Sequence, residues 1–394
     1  MTSLRILMPV FNRIGKGTYW RTYGLAQELA TRGHQITLLG AGPVGRAGVE
    51  VKRSGGFTQV AFPSLLATTQ GSGYDPGDIL ARIRWLWSNA ERYDLVHAFE
   101  NRPSCLIPVW MSKRRGACFV SDWCDWFGQG GSVEHRPNHI VRALLRPVET
   151  ALENRSRPRA RGVTVINQTL YQKARDLGVE DKRILVLPNG AYIDDFQPSG
   201  QAEARRRLGL PPDIPLMAYT GTLLGSDADL MAAAFERIKA EMPEAQLLLI
   251  GYTNLDLRSM VRHPEAVIST GQVSFQALVD YVSASTIGWV PLADNAANAG
   301  RFPMKINDFM ASGKAAIVTD VGDLGEVVRE HGVGLVARPD PKSVAEQAIR
   351  LLKDEALRQQ FEIRARQVAE SVFNWPRIVD PLEDFYFQLM ANGQ

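Results

Sequence analysis

Cysteine is scarce: Cys105, Cys118 and Cys124 are the only three in 394 residues, and none pair in a C-x-x-C spacing. An odd count without that spacing argues against a disulfide framework and a zinc ribbon. Reduced thiols fit a cytoplasmic setting. Charge of one sign is scarce too. There are 45 Lys and Arg against 42 Asp and Glu, a formal net charge of +3, whereas a nucleic-acid binder would gather basic residues on one element. No stretch approaches the roughly 20 apolar residues needed to cross a membrane. The apolar run at 6–11 is too short for a signal peptide and lies inside a strand pattern. Low-complexity segments are missing as well.

What is there is rhythm. Short apolar runs at 5–10, 35–39, 95–99, 117–121, 163–166 and 184–187 alternate with amphipathic stretches at 18–31, 78–92, 104–112, 140–155 and 169–177. Such alternation means βαβ units and a parallel, doubly wound sheet. Residues 188–210 break it with PNG, QPSG and ARRR. It restarts with apolar runs at 216–220, 246–250, 267–269, 287–291, 315–319 and 334–336, between helical stretches at 230–240, 275–284, 306–311, 342–354 and 355–370. The expectation is an α/β chain of two Rossmann-like halves, 1–188 and 214–375, joined by a linker at 189–213. Open parallel sheets bind ligands at the carboxyl ends of their strands, so two such halves would face a central cleft.

The segment RFPMKINDFMASGKAAIVTDVG, residues 301–322, concentrates the chemistry. It reads as a turn entering a helix near Pro303, an exit at Gly313 and a buried strand at 315–319. Arg301 and Lys305 flank the helix start, and Asp308 stands one turn on. Cations and a helix N-terminus suit a diphosphate, and a carboxylate suits ribose or sugar hydroxyls. The same residue types fit an ordinary βαβ edge whose charges face solvent.

The pattern P-x-K-x-x-D-x-x-A-x-G-K, then an apolar strand and Gly322, resembles the donor segment of GT-B glycosyltransferases of family 4. The opening RILMPVFNRIGKGTYWRTYGLAQELATRGHQITLLG resembles that family's first strand, glycine turn, helix and second strand. GVTVINQTLYQKARDLGV with ILVLPNGAYIDDFQP, PLMAYTGTLLG with PEAQLLLIG, and FNWPRIVDPLEDFYFQLM fit in order across nearly the whole chain. The resemblance implies a metal-independent, retaining, hexosyltransferase-type enzyme with a nucleoside diphosphate-sugar as co-substrate and no other cofactor. It places an acceptor in the first half, capped by 376–394, and the nucleotide-sugar in the second. Asp308 would bind the ribose; Phe302, Pro303, Met304, Gly221, Thr222 and Gly322 would line the donor. Gly15 and Gly17, with Lys16 between them, would bring backbone close to the donor phosphates or the acceptor.

The chain also departs from the family. An Arg and a Lys expected after Gly221 for the pyrophosphate are missing from GTLLGS, and Arg301 and Lys305 are the expected replacements, as catalytic cations. The first glutamate of the family's pair falls at Gly300, the second at Asp308, with Asn298 the nearest substitute.

A second unusual passage is FVSDWCDWFGQGG, residues 119–131. Carboxylates hold hydroxyls and aromatic rings stack on sugars, so Trp123, Cys124, Trp126 and Phe127 are acceptor-side candidates, with His97 in DLVHAFE. Family members carry an acceptor-side catalytic His where Cys124 stands, so Asp122 or Asp125 is expected to take part of its role. Core tryptophans and turn-capping aspartates would produce the same pattern. His135 and His139 are spaced for a metal on one helix face, but Pro137 argues against a continuous helix, and no metal is expected. The arginine-rich stretch 142–161 admits two readings: a helix whose Ile140, Val141, Leu144, Leu145, Val148 and Leu152 pack on the sheet, or a basic helix on an anionic membrane at its inner face.

The sequence thus points to a glycosyltransferase acting on a nucleotide-sugar donor and a glycan, lipid-linked or small-molecule acceptor. The alternatives are a nucleotide-sugar 2-epimerase-like isomerase and a catalytically inactive partner subunit of the same architecture.

Overall fold

The computed structural model describes residues 3–45, 48–66, 68, 71–89, 91–136, 138–198, 200–223, 225–252 and 255–391. The chain divides into two compact units, Met1–Pro188 with Trp375–Gln394, and Asn189–Asn374. Pro137 and Leu224 lie outside the described residues.

The first unit runs β1 (Arg5–Arg13), α1 (Tyr19–Thr31), β2 (Gln35–Val44), β3 (Glu50–Ser54), β4 (Phe57–Ser64), α2 (Pro76–Ser88), β5 (Leu95–Phe99), α3 (Pro103–Lys113), β6 (Cys118–Trp123), α4 (His139–Arg159), β7 (Gly162–Val165), α5 (Gln168–Asp176) and β8 (Ile184–Val186). Among the described residues the sheet order is β3-β4-β2-β1-β5-β6-β7-β8. Every pairing is parallel except that of β3 with β4. β5, Leu95 to Phe99, is wholly buried, as a strand covered by helices on both faces must be.

The second unit carries α6 (Gln201–Leu208), β9 (Leu216–Thr220), α7 (Gly225–Glu241), β10 (Gln246–Ile250), β11 (Val267–Ser269), α8 (Phe275–Ala284), β12 (Ile287–Val290), α9 (Ala296–Ala299), α10 (Lys305–Ala311), β13 (Ala316–Thr319), α11 (Leu324–His331), β14 (Gly334–Ala337), α12 (Pro341–Lys353) and α13 (Glu355–Ser371). Its sheet, β11-β10-β9-β12-β13-β14, is parallel throughout. Its core packs Phe235, Ile238, Trp289, Ile317 and Leu351 between sheet and helices.

α14 (Trp375–Ala391) belongs to the first unit. The Trp375 ring lies so close to Gly24, and Leu389 and Phe385 so close to Gly162, that neither glycine has room for a Cβ. Arg32 and His34 clasp Glu383, at 3.0 and 2.9 Å.

Three expectations need correction. The β3–β4 hairpin was not expected, because its outer strand is half exposed and its Lys and Arg dilute the apolar signal. The stretch assigned to a linker holds α6, stopped by Gly209 at φ 65. Buried Arg205 ties it to the Ala284 carbonyl at 2.9 Å and to Thr286 at 3.0 Å, so one arginine of the ARRR segment serves packing while Arg206 and Arg207 stay exposed. The third concerns α4. Ile140, Val141, Leu144 and Val148 are exposed, while Glu149, Glu153, Ser156 and Arg157 are buried. The polar side faces in because it has partners there. Glu153 accepts from Trp123 Nε1 at 2.8 Å and from the Phe127 and Gly128 N–H groups, and Glu149 pairs with Arg102 and Arg136.

Candidate active-site groups in each unit

In the second unit, the turn after β12 passes Asn295, whose side chain accepts from the Asn298 N–H to start α9. Asp227, in the first turn of α7 and fully buried, ties this turn together. Its carboxylate accepts from Ala293 N at 2.9 Å, Asn298 Nδ2 at 2.6 Å and Arg301 Nη2 at 2.7 Å. Arg301 is therefore held in place rather than mobile. Lys305 opens α10 with its ammonium 3.4 Å from the centre of the Tyr219 ring, a cation–π geometry. Tyr219 in turn donates to the Thr222 carbonyl at 2.9 Å, linking the glycine turn at Gly221, φ 84, to the lysine. Burial first, and then the neighbouring Arg301, push the Lys305 ammonium well below its ordinary range. Burial lifts the Asp308 carboxyl to about 7, against the opposing pull of Lys305. Arg301 thus precedes α10, and Lys305 and Asp308 stand in its first turn: a fixed guanidinium, an amine whose charge burial disfavours and a readily protonated acid.

Other donor-side candidates have structural roles. Asn298 is fully buried and its amide nitrogen serves Asp227 and the Ala293 carbonyl. Gly300 ends α9. Phe302 is buried, stacked on Phe373, and its carbonyl accepts from Asn189. Gly322, φ 57, approaches the Ala299 carbonyl so closely that a Cβ would sit 2.8 Å from it; the glycine is needed for packing against α9. Pro303 and Met304 are half-buried beside Lys305. α10 runs only 7 residues, so its end dipole is a minor contributor.

In the first unit, Asp122 and His97 are not free for chemistry. Both are fully buried. Arg21 holds Asp122 through two hydrogen bonds, at 3.0 and 2.8 Å, and Thr164 donates to it at 2.6 Å. Burial alone would raise the Asp122 carboxyl; Arg21 outweighs it and brings the group below its usual value. His97 sits between Tyr386 of α14 and Thr164, at 2.6 and 3.0 Å, and burial pushes it down to about 4, so it is neutral. The sequence offered both as acceptor-side candidates; the structure buries them completely, among Arg21, Thr164 and Tyr386. Trp123 is likewise core, beneath Arg157, and Phe127 packs edge-on to Phe11. Trp126 is half-buried with the Lys173 ammonium 3.7 Å over its ring.

Asp125 is half-buried just past β6. Beside it lie Cys124 and a residue the sequence reading missed, Glu100. Among the described residues, Glu100, Cys124 and Asp125 form the group whose ligand atoms lie within 4.8 Å of one another. His135 closes a short 3-10 turn and His139 opens α4, so no helix presents them together. Gly15 and Gly17 take φ 79 and 55 in the turn before α1, and the Cys124 thiol reaches Thr18 at that turn's end, 3.7 Å away. Glu100 follows β5 directly, but no motif or spacing in the sequence marks it.

Known proteins divide in the same way. Residues 16–190 match the family model described as "Glycosyl transferase 4-like domain", and residues 215–354 the one described as "Glycosyl transferases group 1". The D-inositol 3-phosphate glycosyltransferase of Geodermatophilus obscurus is 27% identical over 323 residues, 75% of this chain and 66% of that protein. The Nocardioides enzyme of the same name is 25% identical over 234 residues, 54% of this chain and 50% of its own length. The matched region thus spans about half to two thirds of these relatives. Sucrose-phosphate synthase from Thermosynechococcus elongatus superposes with a TM-score of 0.76 at 19% identity, covering 99% of this chain and 100% of that one. Anabaena HepE in complex with UDP and glucose gives 0.70 at 15%, covering 98% and 100%. At those identities the likeness concerns the fold.

Proposed function

The chain belongs to the GT4-like glycosyltransferases of GT-B fold, and from that premise we propose that it moves a sugar from a nucleoside diphosphate to an acceptor hydroxyl, without a metal and with retention. The second unit holds the donor and the first the acceptor. The observation that carries this is the turn uniting Arg301, Lys305 and Asp308. In the transition state charge gathers on the departing diphosphate, so fixed cations accelerate the step. Arg301 is fixed by Asp227, and Lys305 gains its full charge as the anion arrives. Asp308 holds a ribose hydroxyl. The acceptor oxygen bonds to the anomeric carbon on the same face from which the diphosphate departs, which keeps the configuration, and Asp125 takes the hydroxyl proton as that bond forms.

A thermal-shift screen of nucleoside diphosphates and their sugars tests the reading. A ligand at 100 times its Kd stabilises by about 2.7 kcal/mol. Stabilisation by one base family, and transfer that survives EDTA, is the expected result. No response to any nucleotide would remove the donor assignment, and epimerised sugar without transfer would make the chain an isomerase.

The acceptor side extends to a membrane surface. The first half of α4 shows Ile140, Val141, Leu144 and Val148 to solvent, with Arg142 and Arg146 between them. Apolar residues interleaved with arginines suit the boundary of an anionic leaflet, and no helix among the described residues is long and apolar enough to cross one. The proposal is a cytoplasmic enzyme resting on the inner face, with a lipid-linked acceptor. Leu144→Glu is expected to abolish sedimentation with phosphatidylglycerol vesicles; equal sedimentation of the variant, or none by the parent, overturns the contact.

A further inference from the structure

Glu100 is the one non-glycine residue with positive φ among those described, at 82. A side-chain-bearing residue there costs on the order of 1 kcal/mol or more, and such strain collects at functional sites. It comes directly after β5, at the carboxyl edge of the sheet, and is fully buried. Its Oε1 accepts from the Cys124 thiol at 2.8 Å, while Oε2 has no hydrogen-bond partner among the described residues. Buried polar atoms are nearly always paired, so an orphan carboxylate oxygen calls for an explanation.

Charged and titratable groups face it from several elements: Asp122, Cys124 and Asp125 at the end of β6, Arg157 on α4, Arg21 on α1 and Cys105 on α3. The three acids Glu100, Cys124 and Asp125 crowd within 4.8 Å. Two guanidiniums already face the cluster, so a divalent cation would enter positive surroundings, whereas a proton requires no room. Two carboxyl groups this close do not both ionise freely. Burial decides which one keeps the proton: Glu100 is sealed from water and Asp125 is half-buried.

We propose that Glu100 is a positioning residue for the acceptor-side base: a neutral carboxylic acid, locked by the Cys124 thiol, that leaves the negative charge on Asp125. Burial first and Asp125 second push the Glu100 carboxyl well above its ordinary range, in keeping with that assignment. Unlike environments splitting two neighbouring acids is how one pair supplies both an acid and a base. The proton on Glu100 stays put through the cycle; the one from the acceptor hydroxyl goes to Asp125. The role rests on the transferase reading, but the proton's location does not.

Infrared spectroscopy of the whole protein at neutral pH reads that location without turnover. The difference spectrum between the parent and Glu100→Gln should show one lost carboxylic-acid C=O band. Its absence overturns the proposal even in an active enzyme. Its presence in a protein that transfers no sugar upholds the protonated pair and sinks the transferase reading instead. Glu100→Gln keeps a neutral carbonyl for the thiol, so with the fold checked by circular dichroism it should retain the nucleotide KM and lose the alkaline limb of the kcat–pH profile. Glu100→Ala should lower kcat about tenfold at unchanged nucleotide KM. Identical pH profiles for parent and Gln variant would reduce Glu100 to packing.

Discussion

Arg301 and Asp227 stand 74 residues apart in the chain, and the guanidinium meets the carboxylate at 2.7 Å. An arginine so anchored meets a phosphate with less ordering cost than a free one. Asp227→Asn should therefore weaken nucleotide binding about tenfold, or roughly 1.4 kcal/mol, with acceptor KM unmoved. Calorimetric titration of nucleoside diphosphate checks it; unchanged affinity would mean Arg301 does not touch the donor.

Asp308 ties stability to pH. Its carboxyl titrates near 7 in the fold, against 3.8 as the ordinary value. The folded state therefore binds more protons than the unfolded one between these values, and stability is lost as pH rises through the window. Asp308→Asn should melt higher than the parent at pH 8, with the difference closing toward pH 4. The same substitution should cost roughly 1–3 kcal/mol of donor affinity through the lost hydroxyl partner. Parallel melting curves across pH would remove the titration from this residue.

Arg21 and Asp122 are a buried pair with side-chain exposures of 2% and 0%. Removing one partner strands the other charge, at about 3–5 kcal/mol. Arg21→Met should lower urea stability by that amount, and Arg21→Met with Asp122→Leu should recover part of it. A neutral single variant would mean the pair is already broken in solution.

Asp125→Asn removes proton-accepting power at constant size. Transfer to the acceptor should fall by a hundredfold or more, on the order of general-base contributions, with donor affinity held within a few-fold. Normal transfer by the variant would move the base elsewhere.

Much of this was legible from periodicity. Leu95–Phe99 and Ala316–Thr319 are short, mainly apolar runs bounded by turn signals, as strands of a sheet covered on both sides are. Asp308 and Lys305 stood out because a cation and a carboxylate at a helix start match the family's donor segment. What escaped is what spacing cannot carry. Asp122 looked like a catalytic acid until Arg21, 101 residues away, turned out to hold it. The α4 heptad-like apolar stripe pointed inward by pattern, yet its carboxylates had the stronger claim on the interior, through the N–H groups of Phe127 and Gly128 in the loop that precedes it. Glu100 lacked a motif altogether; only its backbone angle marks it.

α14 closes the first unit with residues made after the whole second unit, seating Trp375 on Gly24 and Tyr386 against His97. Domains emerging from a ribosome commonly fold in order of synthesis. Here that order is reversed at the finish. Residues 189–374 form a compact unit of their own, complete in the chain while the earlier half still lacks its last helix. During that interval the apolar floor under Gly162 stays uncovered, and a chaperone that shields nascent chains would find its substrate in the older half of the polypeptide rather than the newer.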